Sequence, residues 1–331
     1  MSMYTLDFEK PIAEIENRID ELRQMSIRQK VDFTQEIKKL EKKLEKEKES
    51  VFMHLNSWQR TQLARHPLRP YFMDYCSRII DGFIELHGDR RYRDDAAIIC
   101  GLGYLGDERV AVLGQQKGKD TQENLHRNFG SMHPEGYRKA MRIMELAGNY
   151  NLPIITFIDT MGAFPGIGAE ERGQAEAIAN NLRGMADLEV PIISIVIGEG
   201  GSGGALGIGV TNRILMLENS IYSVISPEGC ASILWHDASK APVAAEAMRI
   251  TAPQLYALGV IDEIIKEPLG GAHSNYDKTA DNIKKVLKKH LSQLLKLNGP
   301  ALVENRYKKF RNLGEYINSN GKLVSSKRKK K

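Results

Sequence analysis

The sequence predicts an α/β fold, and three observations carry that prediction. An apolar strand followed by a glycine-rich stretch and then a helix occurs twice, at 153–187 and at 190–206. Repetition of that unit implies mostly parallel strands joined by crossovers. Ahead of both units, A-A-I-I-C-G-L-G-Y-L-G-D-E-R-V-A-V-L-G-Q-Q at 96–116 reads as a β-hairpin turned at Gly106-Asp107. Further upstream, residues 9–50 are rich in Glu and Lys, with apolar residues spaced by threes and fours, which places a helical arm before the strands.

In the arm, Ile12, Ile15, Ile19 and Leu22 form one narrow stripe, and Phe33, Ile37, Leu40 and Leu44 form a second. Two amphipathic helices follow, packed on the main body or on another chain. His66-Pro67 and Arg69-Pro70 then end a helix and impose an extended link. After the hairpin, Pro134 opens a helix to Tyr150 that puts Tyr137, Met141, Met144, Ala147 and Gly148 on one face. A strand at 153–158 leads into the loop D-T-M-G-A-F-P-G-I-G-A at 159–169, and a helix is expected from Glu170 to Asp187. The second round is a strand at 190–197, a glycine loop, and a short helix from about Gly203. Strands at 213–217, 221–224 and 260–264, helices at 240–250 and 253–258, and a final helix near 278–296 complete the reading. The chain divides into a helical arm (1–60), a main domain (61–270) and a C-terminal helix with a basic tail (271–331).

With 331 residues, 42% of them hydrophobic, the chain can bury a substantial core. No apolar run approaches the ~18 to 20 residues that span a bilayer, and the N-terminus lacks the pattern of a secretion signal, so the cytoplasm is the expected location. The net charge of +5 is matched by the terminal run Lys327 to Lys331 alone, so nucleic-acid binding is not indicated. Cys76, Cys100 and Cys230 lie far apart without zinc spacing, which reads as isolated thiols and no metal site.

The densest signal is G-E-G-G-S-G-G-A-L-G-I-G at 198–209. It fits a dinucleotide fingerprint with Glu218 as the ribose acid, and equally a nucleophile elbow with Ser202 served by Asp262 and His273. A third reading needs no side-chain chemistry: the N–H groups of Gly203, Gly204 and Ala205 at a helix mouth can hold an oxyanion. A fourth is tight packing alone.

Seven stretches together resemble one family. They are A-R-H-P-L-R-P (64–70), R-N-F-G (127–130), P-E-G-Y-R-K-A (134–140), P-I-I-T-F-I-D-T (153–160), G-A-E-E-R-G-Q (168–174), V-I-G-E-G-G-S-G-G-A-L (196–206) and Y-S-V-I-S-P-E-G-C-A-S-I-L-W (222–235). This set is similar to the carboxyltransferase alpha subunits of bacterial and plastid acetyl-CoA carboxylase. The resemblance implies a crotonase-like spiral of β-β-α units. It also implies transfer of a carboxyl group from biotin, carried in trans by a carrier protein, to acetyl-CoA, giving malonyl-CoA, the first committed step of fatty acid synthesis. A zinc-containing beta subunit would complete an α2β2 core, and a separate biotin carboxylase would use the ATP.

By the same resemblance, the backbone oxyanion hole falls on Gly203 and Gly204, and Gly162, Ala163, Phe164, Gly166, Ala205 and Gly229 line the substrate pocket. Ser226, Pro227 and Glu228 would shape the same cleft, although Pro227-Glu228 reads equally as an ordinary helix start. Valine at either Gly203 or Gly204 is expected to abolish turnover with the fold kept. The family's D-T-P-G-A loop is here D-T-M-G-A, so Met161 restores a free N–H and loosens the loop. The competing expectation from the same fold class is an enoyl-CoA hydratase or isomerase with Glu199 or Glu170 as its acid or base.

Overall fold

A computed structural model describes residues 5–317 and 323–325. The arm is a helical hairpin of α1 (Lys10–Gln29) and α2 (Thr34–Met53), and Lys30 ends α1 in the left-handed region at φ 52°. α1 buries Ile12, Ile15, Ile19 and Leu22, the stripe that the spacing implies. The α2 stripe stays half-buried, and Lys48–Glu16 (2.6 Å) and Arg23–Glu41 (2.8 Å) bridge the two helices. Next come α3 (Ser57–Ala64) and α4 (Phe72–Ile79), one on either side of the proline link.

The strands are β1 (Asp81–Glu85), β2 (Ile98–Leu105) and β3 (Glu108–Gln115), then α5 (Thr121–His126), α6 (Pro134–Asn149) and β4 (Ile154–Thr160). After α7 (Ile167–Glu171) and α8 (Gln174–Asp187), β5 (Ile192–Gly201) runs straight into α9 (Ser202–Leu206). β6 (Arg213–Leu217), β7 (Ile221–Ser223), α10 (Pro227–Trp235), α11 (Ala241–Met248), α12 (Ala252–Ala257) and β8 (Glu263–Ile265) follow. The chain continues through α13 (Tyr276–Leu294) and α14 (Gly299–Arg311) to a small pair, β9 (Glu315–Ile317) with β10 (Leu323–Ser325).

The main sheet runs β1-β2-β3-β4-β5-β6-β8, with β7 paired to the end of β5. The first three strands are antiparallel and the rest are parallel, so the hairpin is grafted onto a parallel core. Period-2 alternation sends successive side chains to opposite faces. On β3, Ala111 and Leu113 join the cluster under α6 and α8, while Val110 and Val112 join the cluster under α4 and α13. Both faces are therefore covered, which explains the near-continuous apolar runs of β4 and β5. Among the described residues, no helix is long and apolar enough to cross a membrane.

Several expectations change. The helix placed at 170–187 is two helices, because Gly173 breaks it at φ 81°. Gly198, Gly200 and Gly201 belong to β5 rather than to a loop; Gly200 and Gly201 pair with β7, and Gly200 also with Thr160 of β4. The buried face of α6 centres on Tyr137, Ala140, Ile143 and Met144, with Met141 at its margin. The helix near 278–296 is not the last: α14 follows, and Leu302 and Arg306 of α14 are buried in the main body. Cys76 and Cys100 are buried and Cys230 is half-buried. The basic tail at 327–331 lies outside the described residues.

Candidate active site

Where β5 gives way to α9, Ser202 adopts φ 49°, a sharp turn that few side chains tolerate. Gly203 and Gly204 are the second and third residues of α9, so their N–H groups have no acceptor one turn back inside the helix. The carbonyl ends of the same segment are all held. Gln115 Nε2 donates to Gly204 O (2.8 Å), Asn181 Nδ2 to Gly207 O (2.9 Å) and Thr156 Oγ1 to Ile208 O (2.8 Å). The helix is thus gripped by its acceptors, while the first-turn N–H groups of half-buried Gly203 and buried Gly204 are left without an intrahelical acceptor.

Six of the seven glycines in 198–209 answer to close packing. A Cβ at Gly198 would strike the Asp159 carboxylate, one at Gly200 the Tyr222 ring, and one at Gly201 the Met161 backbone. At Gly204 it would come within 2.5 Å of the Gly162 carbonyl carbon; Gly207 and Gly209 face Tyr137 and the Ala205 carbonyl oxygen in the same way. Gly203 differs. Its Cβ would meet only Ile178, at 3.5 and 3.8 Å, which is ordinary contact. The valine expectation is therefore corrected at Gly204, where any side chain forces the backbone apart, and it stands as a usable substitution only at Gly203.

The 159–166 loop packs directly on α9. Thr160 Oγ1 accepts from Gly162 N (3.1 Å) and donates to Gly162 O (2.8 Å), which curls the loop so that Gly162 and Ala163 lie over Gly204. Met161 is exposed. Phe164 stacks on His133, with ring centroids 4.1 Å apart, and Gly166 sits beneath the Phe164 ring. Gln174 Nε2 holds the carbonyls of Met132 and Phe164, both at 2.9 Å. Ala205 is fully buried in the core, so only its backbone can face a ligand. Gly229 spends its N–H on Ser226 Oγ (3.0 Å), the cap of α10, in which Pro227 is buried.

Below the junction lies a charge network that sequence reading did not find. Lys117 Nζ reaches Asp159 Oδ1 (2.7 Å) and Glu199 Oε1 (3.4 Å), while Arg65 joins Glu199 (2.6 Å) to Glu228 (2.6 Å). Burial pushes the Glu199 carboxyl up, but Lys117 and Arg65 outweigh it and hold the group below its usual value. Lys117 is driven up by Asp159 and Glu199 against the opposing effect of burial. The signal was available: Glu199 interrupts an apolar strand end, and a buried carboxylate requires partners. Likewise, R-N-F-G forms a turn with positive φ at Asn128, Phe129 and Gly130, and a Cβ at Gly130 would fall 2.7 Å from Asp159 O.

The other candidates do not assemble. Glu218 pairs with Lys266 (2.5 Å) on the β6–β7 turn and supports no ribose site. His273 stacks on His66 (3.9 Å), and Asp262 accepts from Ile214 N (2.8 Å). Among the described residues, neither group bonds to the exposed Ser202, so no triad forms. Glu170 is exposed at the end of α7.

Comparison with known proteins bears on the family and the fold. The family described as acetyl co-enzyme A carboxylase carboxyltransferase-like matches residues 5–314. The acetyl-coenzyme A carboxylase carboxyl transferase subunit alpha of Staphylococcus carnosus is 58% identical over 311 residues, covering 94% of this chain and 99% of that one. The subunit of the same name from Syntrophotalea carbinolica is 57% identical, covering 93% and 97%. Among solved structures, the transcarboxylase 12S hexamer core superposes with a TM-score of 0.57 at 15% identity, over 71% of this chain and 44% of that one. A Pseudomonas malonate decarboxylase hetero-tetramer with coenzyme A gives 0.54 at 17% identity, over 65% and 86%. Those two likenesses concern the fold, and they agree with the crotonase-like class. On the family match and the near full-length identity, the chain belongs to the carboxyltransferase family of acetyl-coenzyme A carboxylase, among its alpha subunits.

Proposed function

We propose that the Gly203 and Gly204 amides form the oxyanion hole of the biotin-side half of this carboxyltransferase. Biotin, tethered to a carrier protein and acting in trans, supplies the transferable carboxyl group for acetyl-CoA. The observation that carries the reading is the space at Gly203: packing explains the other six glycines, and here the absent side chain leaves room for a ligand to approach the main chain. Unpaired N–H groups in the first turn, with the helix dipole behind them, stabilise negative charge on an oxygen placed there.

The side chains around the junction orient it rather than react. Thr160 shapes the loop over α9, and the Lys117–Glu199–Arg65 network fixes the ends of β4 and β5. Gly162, Ala163, Phe164, Gly166 and the backbone of Ala205 are the proposed pocket lining, with Gly229 at its far edge. The proposed assembly pairs this chain with a zinc-containing beta subunit in an α2β2 core, served by a carrier protein and a biotin carboxylase in the cytoplasm. Within the chain we assign the arm to 1–60, the carboxyltransferase domain to 61–270, and the last helices and tail to 271–331.

The test is malonyl-CoA decarboxylation in the presence of biocytin by the chain mixed with its beta subunit. Turnover is expected only in the mixture, and Gly203→Val is expected to lower it about 100-fold or more. Full turnover by Gly203→Val, or by the lone chain, refutes the reading. Glu199, clamped and ionised, is unsuited to the acid role a hydratase needs, and no crotonyl-CoA hydration is expected.

A further inference from the structure

We propose that Gln115 is a positioning residue for carboxyl transfer, setting the direction in which the α9 amides point; this rests on the oxyanion reading above. Gln115 is the last residue of β3 and is fully buried. Its backbone is fixed in the ladder opposite Ile98, so its side chain leaves a rigid origin. Both ends of the carboxamide are used. Oε1 accepts from Asp159 N (3.0 Å), and Nε2 donates to Gly204 O (2.8 Å).

Those two partners are the two sides of the candidate site. Asp159 lies at the end of β4, just before the loop that lies over α9, and Gly204 is the amide-bearing residue itself. A single planar group therefore ties the two together, alongside the direct packing of Gly162 on Gly204. α9 has five residues, two of them glycine, and its Ser202 and Leu206 side chains are exposed. A helix that short, with that composition, has no intrinsic stability and takes its orientation from its anchors. Near its end the regular pattern also fails: Ile208 N bonds to Ala205 O (3.3 Å), and the Gly204 carbonyl is taken by Gln115. Asn181 and Thr156 hold the downstream carbonyls of Gly207 and Ile208. Gln115 is the anchor that touches the peptide next to the proposed donors. Rotating the Gly204 carbonyl rotates the helix mouth with it.

Two substitutions separate the effects in the complex with the beta subunit. Gln115→Glu keeps an acceptor for Asp159 N and, in its ionised form, loses the donor to Gly204 O, whereas Gln115→Met keeps the length and loses both. Arg306→Leu, in a buried residue remote from α9, serves as the control for stability loss alone. Both Gln115 variants are expected to lose about 10- to 100-fold in kcat, because a small misplacement of a catalytic group suffices for that. KM for malonyl-CoA is expected to change by less than about 2-fold, because the ground state is held elsewhere. The control is expected to lose thermal stability and to keep the kcat of its folded fraction. Gln115→Glu with unchanged kcat overturns the proposal, as does a kcat loss matched by Arg306→Leu at equal melting temperature. If Gly203→Val abolishes turnover and Gln115→Glu does not, positioning fails and the oxyanion reading survives; if Gly203→Val is active, the reading itself fails.

Discussion

Gly204 lies against the backbone of Gly162 so closely that a Cβ would sit 2.5 Å from the Gly162 carbonyl carbon. The loop after β4 and the helix after β5 thus meet through main chain alone. Gly204→Ala is expected to cost about 1 to 3 kcal/mol, because overpacking forces the backbone to shift. Gly203→Ala is expected to leave the melting temperature nearly unchanged. Paired thermal melts check this, and equal losses at both positions would remove the distinction drawn between them.

Arg69 and Glu267 form a fully buried ion pair at 2.6 Å, and Arg69 also donates to Ile197 O (2.6 Å) and Ser220 Oγ (3.0 Å). Arg69→Met or Glu267→Leu alone is expected to cost about 3 to 5 kcal/mol, since each leaves a buried charge without its partner. The double variant is expected to recover much of that loss. A urea double-mutant cycle reads the coupling directly.

Arg306 sets Nη1 of its guanidinium on the end of α8, and Nη2 just ahead of β5 and on Asn212 Oδ1. It donates to Met185 O (2.7 Å), Ala186 O (3.0 Å), Leu188 O (2.9 Å) and Val190 O (3.1 Å). Arg306→Leu strands several buried carbonyls, at about 1 to 3 kcal/mol for each one left unsatisfied. Truncation before α14 is accordingly expected to yield insoluble or unfolded chain, as measured by circular dichroism. A folded truncated chain would make the C-terminal segment a separable unit.

His273 lies between the arm and the core, stacked on His66 and 3.9 Å from Glu9, with Lys48, Arg69 and Glu267 nearby. Burial, aided by His66 and Arg69, pushes its pKa down from 6.5 to about 3. The folded chain keeps this ring neutral where the unfolded chain would protonate it. Stability from this group is therefore complete above pH 6.5 and is lost as pH falls toward 3. His273→Phe keeps the stack and is expected to flatten the urea midpoint against pH between 6.5 and 5, with a slope reduced by up to about 1.4 kcal/mol per pH unit. An unchanged slope would assign the acid sensitivity to other groups.

The parts legible in advance were those governed by local chemistry. The α1 stripe, the Gly106 hairpin and the Pro134 helix start each follow from periodicity or a single turn residue. Boundaries failed where long-range pairing took over. β5 extends through Gly201 because β7 offers a partner from beyond α9, and no local signal announces that. α14 was missed because its sequence is polar, and it is held by Arg306 rather than by a broad apolar face.

The chain order alone determined that a glycine-rich strand-to-helix junction exists, that it follows a parallel strand, and which family of sequences shares it. Which glycines are steric necessities and which one leaves an opening was decided only in three dimensions. That follows from what a missing Cβ would touch: the neighbours of Gly198, Gly200 and Gly204 are Asp159, Tyr222 and Gly162, all distant in sequence. The same holds for Gln115, an ordinary strand-end residue until folding sets Asp159 N and Gly204 O at its two ends.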